Sequence, residues 1–150
     1  MSPIAGRRVV AALVAVLTVA AGLAVHRLAP ENAAGDIAGD ALYAVLTVLL
    51  AVVVLPRAPS WVAGGVGVGW CVLVELFQLT GWPLAWASSF PPVVLVLGTV
   101  FDARDLVIYV LAGATAAVVD ALVRGVARRR AEGAGLPRGR GRENMDPWPP

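Results

Sequence analysis

The sequence of 150 residues has few charged residues and few residues that bind metals or act as nucleophiles. Only 15% of its residues are charged, against roughly 25% in an ordinary soluble domain. With one cysteine, Cys71, and one histidine, His26, an internal disulfide and a zinc site of paired cysteines are excluded. Phosphate-binding glycine loops and nucleophile elbows are also missing, so hydrolase and nucleotide-binding functions have no support. We therefore expect no cofactor.

Long apolar runs dominate the chain: 59% of the residues are hydrophobic, a membrane composition. The first run, from Val9 to Val25, is just long enough to cross a hydrocarbon core of ~30 Å. A cleaved signal peptide is the alternative, because Arg7 and Arg8 precede this run and Gly22-Leu23-Ala24 resembles a cleavage site. The run exceeds the usual apolar region of about 7 to 15 residues, which favours a retained helix.

Three further spanning helices are predicted, at Ile37–Leu55, Trp61–Thr80 and Asp102–Val123. Between the last two, residues 81–92 are uncharged and rich in aromatic and turn-forming residues, as at a membrane surface. Residues 93–98 are apolar but too short to span, which predicts a half-helix or re-entrant segment. The predicted fold is therefore an all-α polytopic membrane protein with four transmembrane helices and a short segment before the last.

The twelve arginines are unevenly distributed, which predicts the orientation. Seven follow Val123, in a stretch whose Arg, Gly and Pro content predicts disorder. With residues 1–8 in the cytoplasm, four crossings place ten arginines inside and leave only Arg27 and Arg104 outside. A fifth crossing by residues 93–100 would separate the basic tail from the other arginines. We expect a multi-pass protein of the cytoplasmic membrane, with residues 9–123 in the bilayer and both termini, 1–8 and 124–150, in the cytoplasm.

The basic tail also predicts a partner. Beside a hydrophobic body, an arginine-rich segment is typical of contact with the anionic lipid head groups of the bilayer rather than with nucleic acid.

In this topology the charged residues of the helices converge on the extracytoplasmic leaflet. Glu75 lies ~7 Å beyond the middle of its helix, at 1.5 Å per residue, and shares a helix face with Gln78, Cys71, Gly67 and Gly64. A polar stripe of the same spacing runs along the last helix and ends at Gly113. The predicted polar cluster consists of Asp40, Glu75, Gln78, Asp102, Arg104, Asp105 and Tyr109.

Two interpretations of this cluster remain open. In the functional one, it forms an outward-facing acidic pocket for a divalent cation, a cationic head group or a transported proton. In the structural one, Arg104 or Arg27 pairs with Glu75, Gln78 bridges helices, and the aspartates cap helices or lie in head-group water. The protein would then be a structural module or the assembly partner of another membrane protein. A charged group at the membrane centre costs at least ~2.5 kcal/mol, so Glu75 requires one explanation or the other.

Small residues predict where helices approach each other. Gly65 and Gly69 form a GxxxG pair, which we interpret as a packing notch within the bundle rather than a dimer interface. Gly113 continues the polar stripe of the last helix and is predicted to pack there.

Three segments resemble a known bacterial family. They are Gly39-Asp40-Ala41-Leu42-Tyr43-Ala44, Glu75-Leu76-Phe77-Gln78-Leu79, and Gly98-Thr99-Val100-Phe101-Asp102-Ala103-Arg104-Asp105-Leu106 with Tyr109 and Gly113. The family consists of small integral-membrane proteins that carry a domain of unknown function, and it is similar in layout to the VanZ-like membrane proteins, some of which are linked to glycopeptide resistance.

The resemblance implies that Asp40, Glu75, Gln78, Asp105 and Tyr109 are the family's recurrent polar positions. The chain departs from the pattern at Phe77, where a small hydroxyl residue is frequent, and in residues 81–92, which lack an expected arginine. The VanZ-like layout alone implies a third function, an envelope enzyme acting on a lipid-linked substrate, and fold-level likeness is a weak basis for an activity.

Overall fold

The computed structural model describes residues 3–29 and 32–135, which form helices and turns without a strand. The helices are α1 (Pro3–Leu28), α2 (Ala33–Val54), α3 (Ser60–Gln78), α4 (Trp82–Ser89), α5 (Val94–Leu97) and α6 (Ala103–Gly135), with a 3₁₀ turn at Pro91–Val93. Of these, α1, α2, α3 and α6 are long and apolar enough to cross a membrane. The predicted all-α fold of four spanning helices, with short helical pieces before the last, is confirmed.

Helix α2 is the centre of the bundle. It packs against α1, α3 and α6, and α3 also packs against α6. One buried cluster joins α1, α2 and α3 through Ala11, Val52 and Ala63, and a second joins α2, α3 and α6 through Ala44, Cys71 and Tyr109. Large apolar side chains cover the outside, as expected of helices that face lipid.

The ends of α2 and α3 follow from local chemistry. The Oδ1 atom of Asn32 accepts hydrogen bonds from the backbone N–H groups of Ala34, at 3.0 Å, and Gly35, at 3.1 Å. This N-cap explains why α2 begins four residues before the predicted Ile37. After α3, Gly81 adopts a φ of 72°, a left-handed conformation that favours glycine and turns the chain into α4.

Close helix packing depends on other glycines than the GxxxG pair. A Cβ atom on Gly67 would lie 2.7 Å from the backbone nitrogen of Val48, and one on Gly113 would lie 2.3 Å from the Cγ2 atom of Val68. Nothing lies within 4 Å of a Cβ atom on Gly65 or Gly69. The prediction that Gly65 and Gly69 form a notch inside the bundle is therefore wrong. One residue corresponds to ~100° of helix rotation, so Gly65 faces outward while its neighbours on the Cys71 face point inward.

The last helix is longer than its predicted end at Val123 and continues to Gly135. Residues 124–135, expected to be disordered, include good helix formers such as Ala127, Arg128 and Arg129, and no proline interrupts them. The rest of the predicted disordered tail, residues 136–150, lies outside the described residues.

Candidate functional site

Successive spanning helices run in opposite directions, so polar residues from distant segments meet at the two ends of the bundle. At one end, which we name the Glu75 end, the C-termini of α1 and α3 meet the N-termini of α2 and α6. At the other, the Arg7 end, Arg7 of α1 contacts the α2–α3 turn and the later part of α6.

Glu75 fixes the start of α6. Its side chain is fully buried, and its Oε1 atom accepts a hydrogen bond of 2.6 Å from the backbone N–H of Asp102. The hydroxyl of Tyr109 donates to its Oε2 atom over a long 3.5 Å. Asp102 in turn caps α6, because its Oδ1 atom accepts from the backbone N–H of Arg104 at 2.9 Å. The first turn of α6 is thus held by two carboxylates, Glu75 from α3 and Asp102 at the start of α6 itself.

Gln78 binds the backbone just before that turn. Its Nε2 atom donates to the carbonyl oxygen of Leu97 at 2.9 Å. The next residue, Gly98, has a φ of 61°, and a Cβ atom there would lie 2.5 Å from Nε2, so the position requires glycine. Gln78 is only 7% exposed. Its Oε1 atom is buried and has no hydrogen-bond partner among the described residues. An unpaired buried acceptor is costly.

Tyr43 holds α5 within the bundle. Its hydroxyl donates to the carbonyl oxygen of Val96 at 2.7 Å and accepts from the indole nitrogen of Trp70 at 3.0 Å. Trp70 precedes Gln78 by eight residues, or ~12 Å of helix. Hydrogen bonds from α2 and α3 therefore hold the end of α5, at Val96 and Leu97, against the bundle.

A cleft of about 930 Å³ opens between α1, α2 and residues 94–105. Its walls are largely apolar. Among the described residues its charged lining contains more acid than base, with one arginine, Arg104, and the carboxylates Asp36, Asp40, Asp102 and Asp105. Gln78 and Tyr109 also line it, whereas Glu75 does not. The cleft thus combines an amphiphile-sized apolar space with a negatively charged end.

The charges in the cleft are unequally paired. The Arg104 guanidinium lies 3.5 Å from a carboxylate oxygen of Asp102 and 3.5 Å from Asp105 Oδ1. That Asp105 oxygen is buried and makes no hydrogen bond within the described residues. Asp40 lies close to Asp105, Arg104 and Glu75. In the described part of the chain, no three His, Cys, Asp or Glu side chains are arranged to hold a metal ion.

The structure thus places all seven predicted cluster residues at the Glu75 end, and all of them except Glu75 line the cleft. Glu75 and Asp102 bind backbone groups at the start of α6, and Asp102 also lines the cleft, as Asp40 and Asp105 do. Arg104 pairs with the two aspartates of its own segment. Glu75, which the structural interpretation pairs with an arginine, is instead bound by the N–H of Asp102 and the hydroxyl of Tyr109.

Sequence reasoning missed a second polar cluster, at the Arg7 end. Arg7 binds Asp120 through two contacts, Nε to Oδ1 at 3.1 Å and Nη2 to Oδ2 at 2.7 Å. Its Nη1 atom donates to the carbonyl oxygens of Pro56 and Ala58, and Ser60 Oγ donates to Asp120 at 2.5 Å. Asp120 is the one charged residue in the apolar run 106–123, and this was the available signal, because a buried carboxylate needs a cationic partner.

One comparison with known proteins shows the family of the chain. The model of a family described as protein of unknown function (DUF2809) matches residues 29–113. The chain belongs to this family. The DUF2809 match contains the whole polar cluster of the Glu75 end and excludes both Arg7 and Asp120. No curated protein and no solved structure matches the chain.

Proposed function

We propose that this DUF2809 protein is a ligand-binding or transport-like module that holds the cationic group of an amphiphilic ligand in the cleft at its Glu75 end. The observation that carries the proposal is that two buried oxygens, Gln78 Oε1 and Asp105 Oδ1, have no hydrogen-bond partner among the described residues and belong to side chains that line an acidic cleft. Both atoms can only accept, so a donor such as an alkylammonium group satisfies them once the two side chains turn toward the cleft.

The shape and charge of the cleft support the same class of ligand. The acidic end attracts a cation, and the apolar walls contributed by α1, α2 and α5 accommodate a hydrocarbon chain. A divalent cation is a poorer fit, because it requires several oxygen ligands at 2.3–2.6 Å or closer, and no group of three acids is so arranged in the described residues.

The residues have separate roles in this proposal. Asp40, Asp105 and Gln78 contact the ligand. Glu75 is a positioning residue, since it holds the first turn of α6, from which Asp105 projects. We further propose that the protein lies in the cytoplasmic membrane with both termini in the cytoplasm, because that orientation satisfies the arginine distribution. The cleft then faces outward, toward the cell envelope.

The test is thermal unfolding of the full chain in a non-ionic detergent, with dodecylamine as the cationic probe and dodecanol as its neutral counterpart. A ligand at a hundred times its Kd adds about 2.7 kcal/mol of stability, so we expect dodecylamine to raise Tm and dodecanol to have much less effect. Asp40→Asn and Asp105→Asn should each remove most of the amine-specific increase.

The matched control is Asp120→Asn, which removes a carboxylate at the Arg7 end. It should lower the starting Tm, because it breaks the pair with Arg7, but it should retain the increase caused by dodecylamine. Equal responses to the amine and the alcohol, or an equal loss of response in all three variants, would disprove the proposal.

A specific observation favours a second candidate function, a structural or assembly role for the polar cluster. Glu75 and Gln78 both bind backbone groups of residues 97–102, and such contacts join helices without any ligand. In that case dodecylamine leaves Tm unchanged, whereas substitution of Glu75 lowers it. Copurification of the full chain with another membrane protein would then identify the partner.

A further inference from the structure

A second cavity, of about 440 Å³, lies at the Arg7 end, between the first turn of α3 and α6. It is separate from the acidic cleft and opposite to it in charge. Its lining consists of Pro59, Ser60, Trp61, Ala117, Val118, Ala121, Arg124, Gly125 and Arg128.

The arginines around this cavity outnumber the acids that could neutralise them. Arg7 and Arg124 lie near one carboxylate, Asp120, and Arg128 lies near Arg124, while Asp120 is already bound by Arg7 and Ser60. Arg124 donates to neutral oxygens, the carbonyl of Ala58 at 3.1 Å and Ser60 Oγ at 3.4 Å. Among residues 32–130, Asp120 is thus the one carboxylate near the two guanidinium groups of the cavity wall, those of Arg124 and Arg128, and Arg7 already forms an ion pair with it.

The start of α3 adds to the positive potential. Ser60 and Trp61, its first two residues, line the cavity. The capping residue, Pro59, gives no side-chain acceptor to the first N–H groups of the helix. These groups carry the positive end of the helix dipole, and so favour an anion at the same place as the two arginines.

The cavity lies at the depth of lipid head groups. Arg124 follows the start of α6 by ~31 Å, at 1.5 Å per residue, which is about the thickness of the hydrocarbon core. Trp61 is 75% exposed, as is typical of an indole that anchors a helix at the interface. Below the arginines the wall is apolar, formed by Ala117, Val118 and Ala121. An acyl chain can lie along that part of the wall.

We propose that this cavity binds an anionic phospholipid, with its phosphate between Arg124, Arg128 and the first turn of α3. Arginine suits this role because its planar guanidinium binds phosphate oxygens through two parallel hydrogen bonds. The site requires neither the acidic cleft nor a ligand in it, so the two proposals stand or fall separately.

The test is native mass spectrometry of the full chain in detergent, with phosphatidylglycerol as the anionic lipid and phosphatidylcholine as the zwitterionic control. Arg128→Gln is the main variant, because Arg128 lines the cavity, its side chain is exposed, and glutamine is also a good helix former. The matched control is Arg129→Gln, which makes the same charge change one residue away, ~100° around the helix.

We expect wild type to prefer phosphatidylglycerol and Arg128→Gln to weaken its binding about fivefold, the effect of one arginine near an anionic surface. Arg129→Gln should change it less than twofold. Equal losses in the two variants would overturn the site in favour of diffuse surface attraction. Displacement of bound phosphatidylglycerol by millimolar inorganic phosphate, which would show a site for the free anion, would overturn the assignment to a lipid.

Discussion

Glu75 shows how a single ionisable side chain can be accommodated inside a bundle without an arginine. Both of its oxygens face groups of α6, one the backbone N–H of Asp102 and the other the hydroxyl of Tyr109. Substitution tests whether the charge or the acceptor matters. Glu75→Leu leaves the N–H of Asp102 without its acceptor, and we expect it to lower the free energy of unfolding by about 1–3 kcal/mol.

Glu75→Gln is the matched variant, since its amide oxygen still accepts from Asp102, and it should lose clearly less stability than Glu75→Leu. Denaturant or thermal unfolding in detergent compares the two. Equal losses would mean that the negative charge, and not the hydrogen-bond acceptor, is what α6 requires.

The helix face of Glu75 could be predicted from the sequence, but its partner could not. Glu75, Gln78, Cys71 and Gly67 share a face through helix periodicity alone, and all four are buried. The bond to Asp102 depends on the path of residues 79–101, part of which is held by Tyr43 and Gln78. That path is set by tertiary packing, to which a local pattern gives no access.

At the scale of elements, contact between α2 and α3 depends on the absence of a side chain at Gly67. Because a Cβ atom there would lie 2.7 Å from the backbone nitrogen of Val48, Gly67→Ala must push the two helices apart. We expect a loss of about 1–3 kcal/mol, as for other overpacked contacts. Gly65→Ala is the control, because the added methyl group meets nothing within 4 Å.

The same unfolding measurements test this prediction, which fails if Gly65→Ala destabilises the protein as much as Gly67→Ala.

The two glycines also show which helix contacts could not be predicted from the sequence. The GxxxG spacing of Gly65 and Gly69 is a known packing motif, but the phase of the buried face, set by Cys71 and Glu75, was the better guide. The predicted end of α6 at Val123 is wrong for a related reason. Arginine favours helix, so an arginine-rich stretch does not by itself indicate disorder.

For the whole molecule, labelling can measure which end of the bundle faces the outside of the cell. With Cys71 replaced by alanine, single cysteines at Ser89, the exposed last residue of α4, and at Arg57, exposed between α2 and α3, report the two ends. We expect a membrane-impermeant maleimide to label Ser89→Cys in intact cells and Arg57→Cys only after permeabilisation. The reverse pattern would place the acidic cleft in the cytoplasm and refute the orientation predicted from the arginines.

The bond between Glu75 and Asp102 joins residues 27 positions apart, and this separation bears on the synthesis of the protein. At translation rates of about 5–20 residues per second, the ribosome takes about 1–5 s to add Asp102 after Glu75. Throughout that interval the carboxyl group of Glu75 lacks the N–H of Asp102 as its partner. The release of α3 into lipid then competes with the retention of α3 at the insertion machinery. The synthesis of residues 76–101 thus sets a minimum delay before α3 and α6 can pack together.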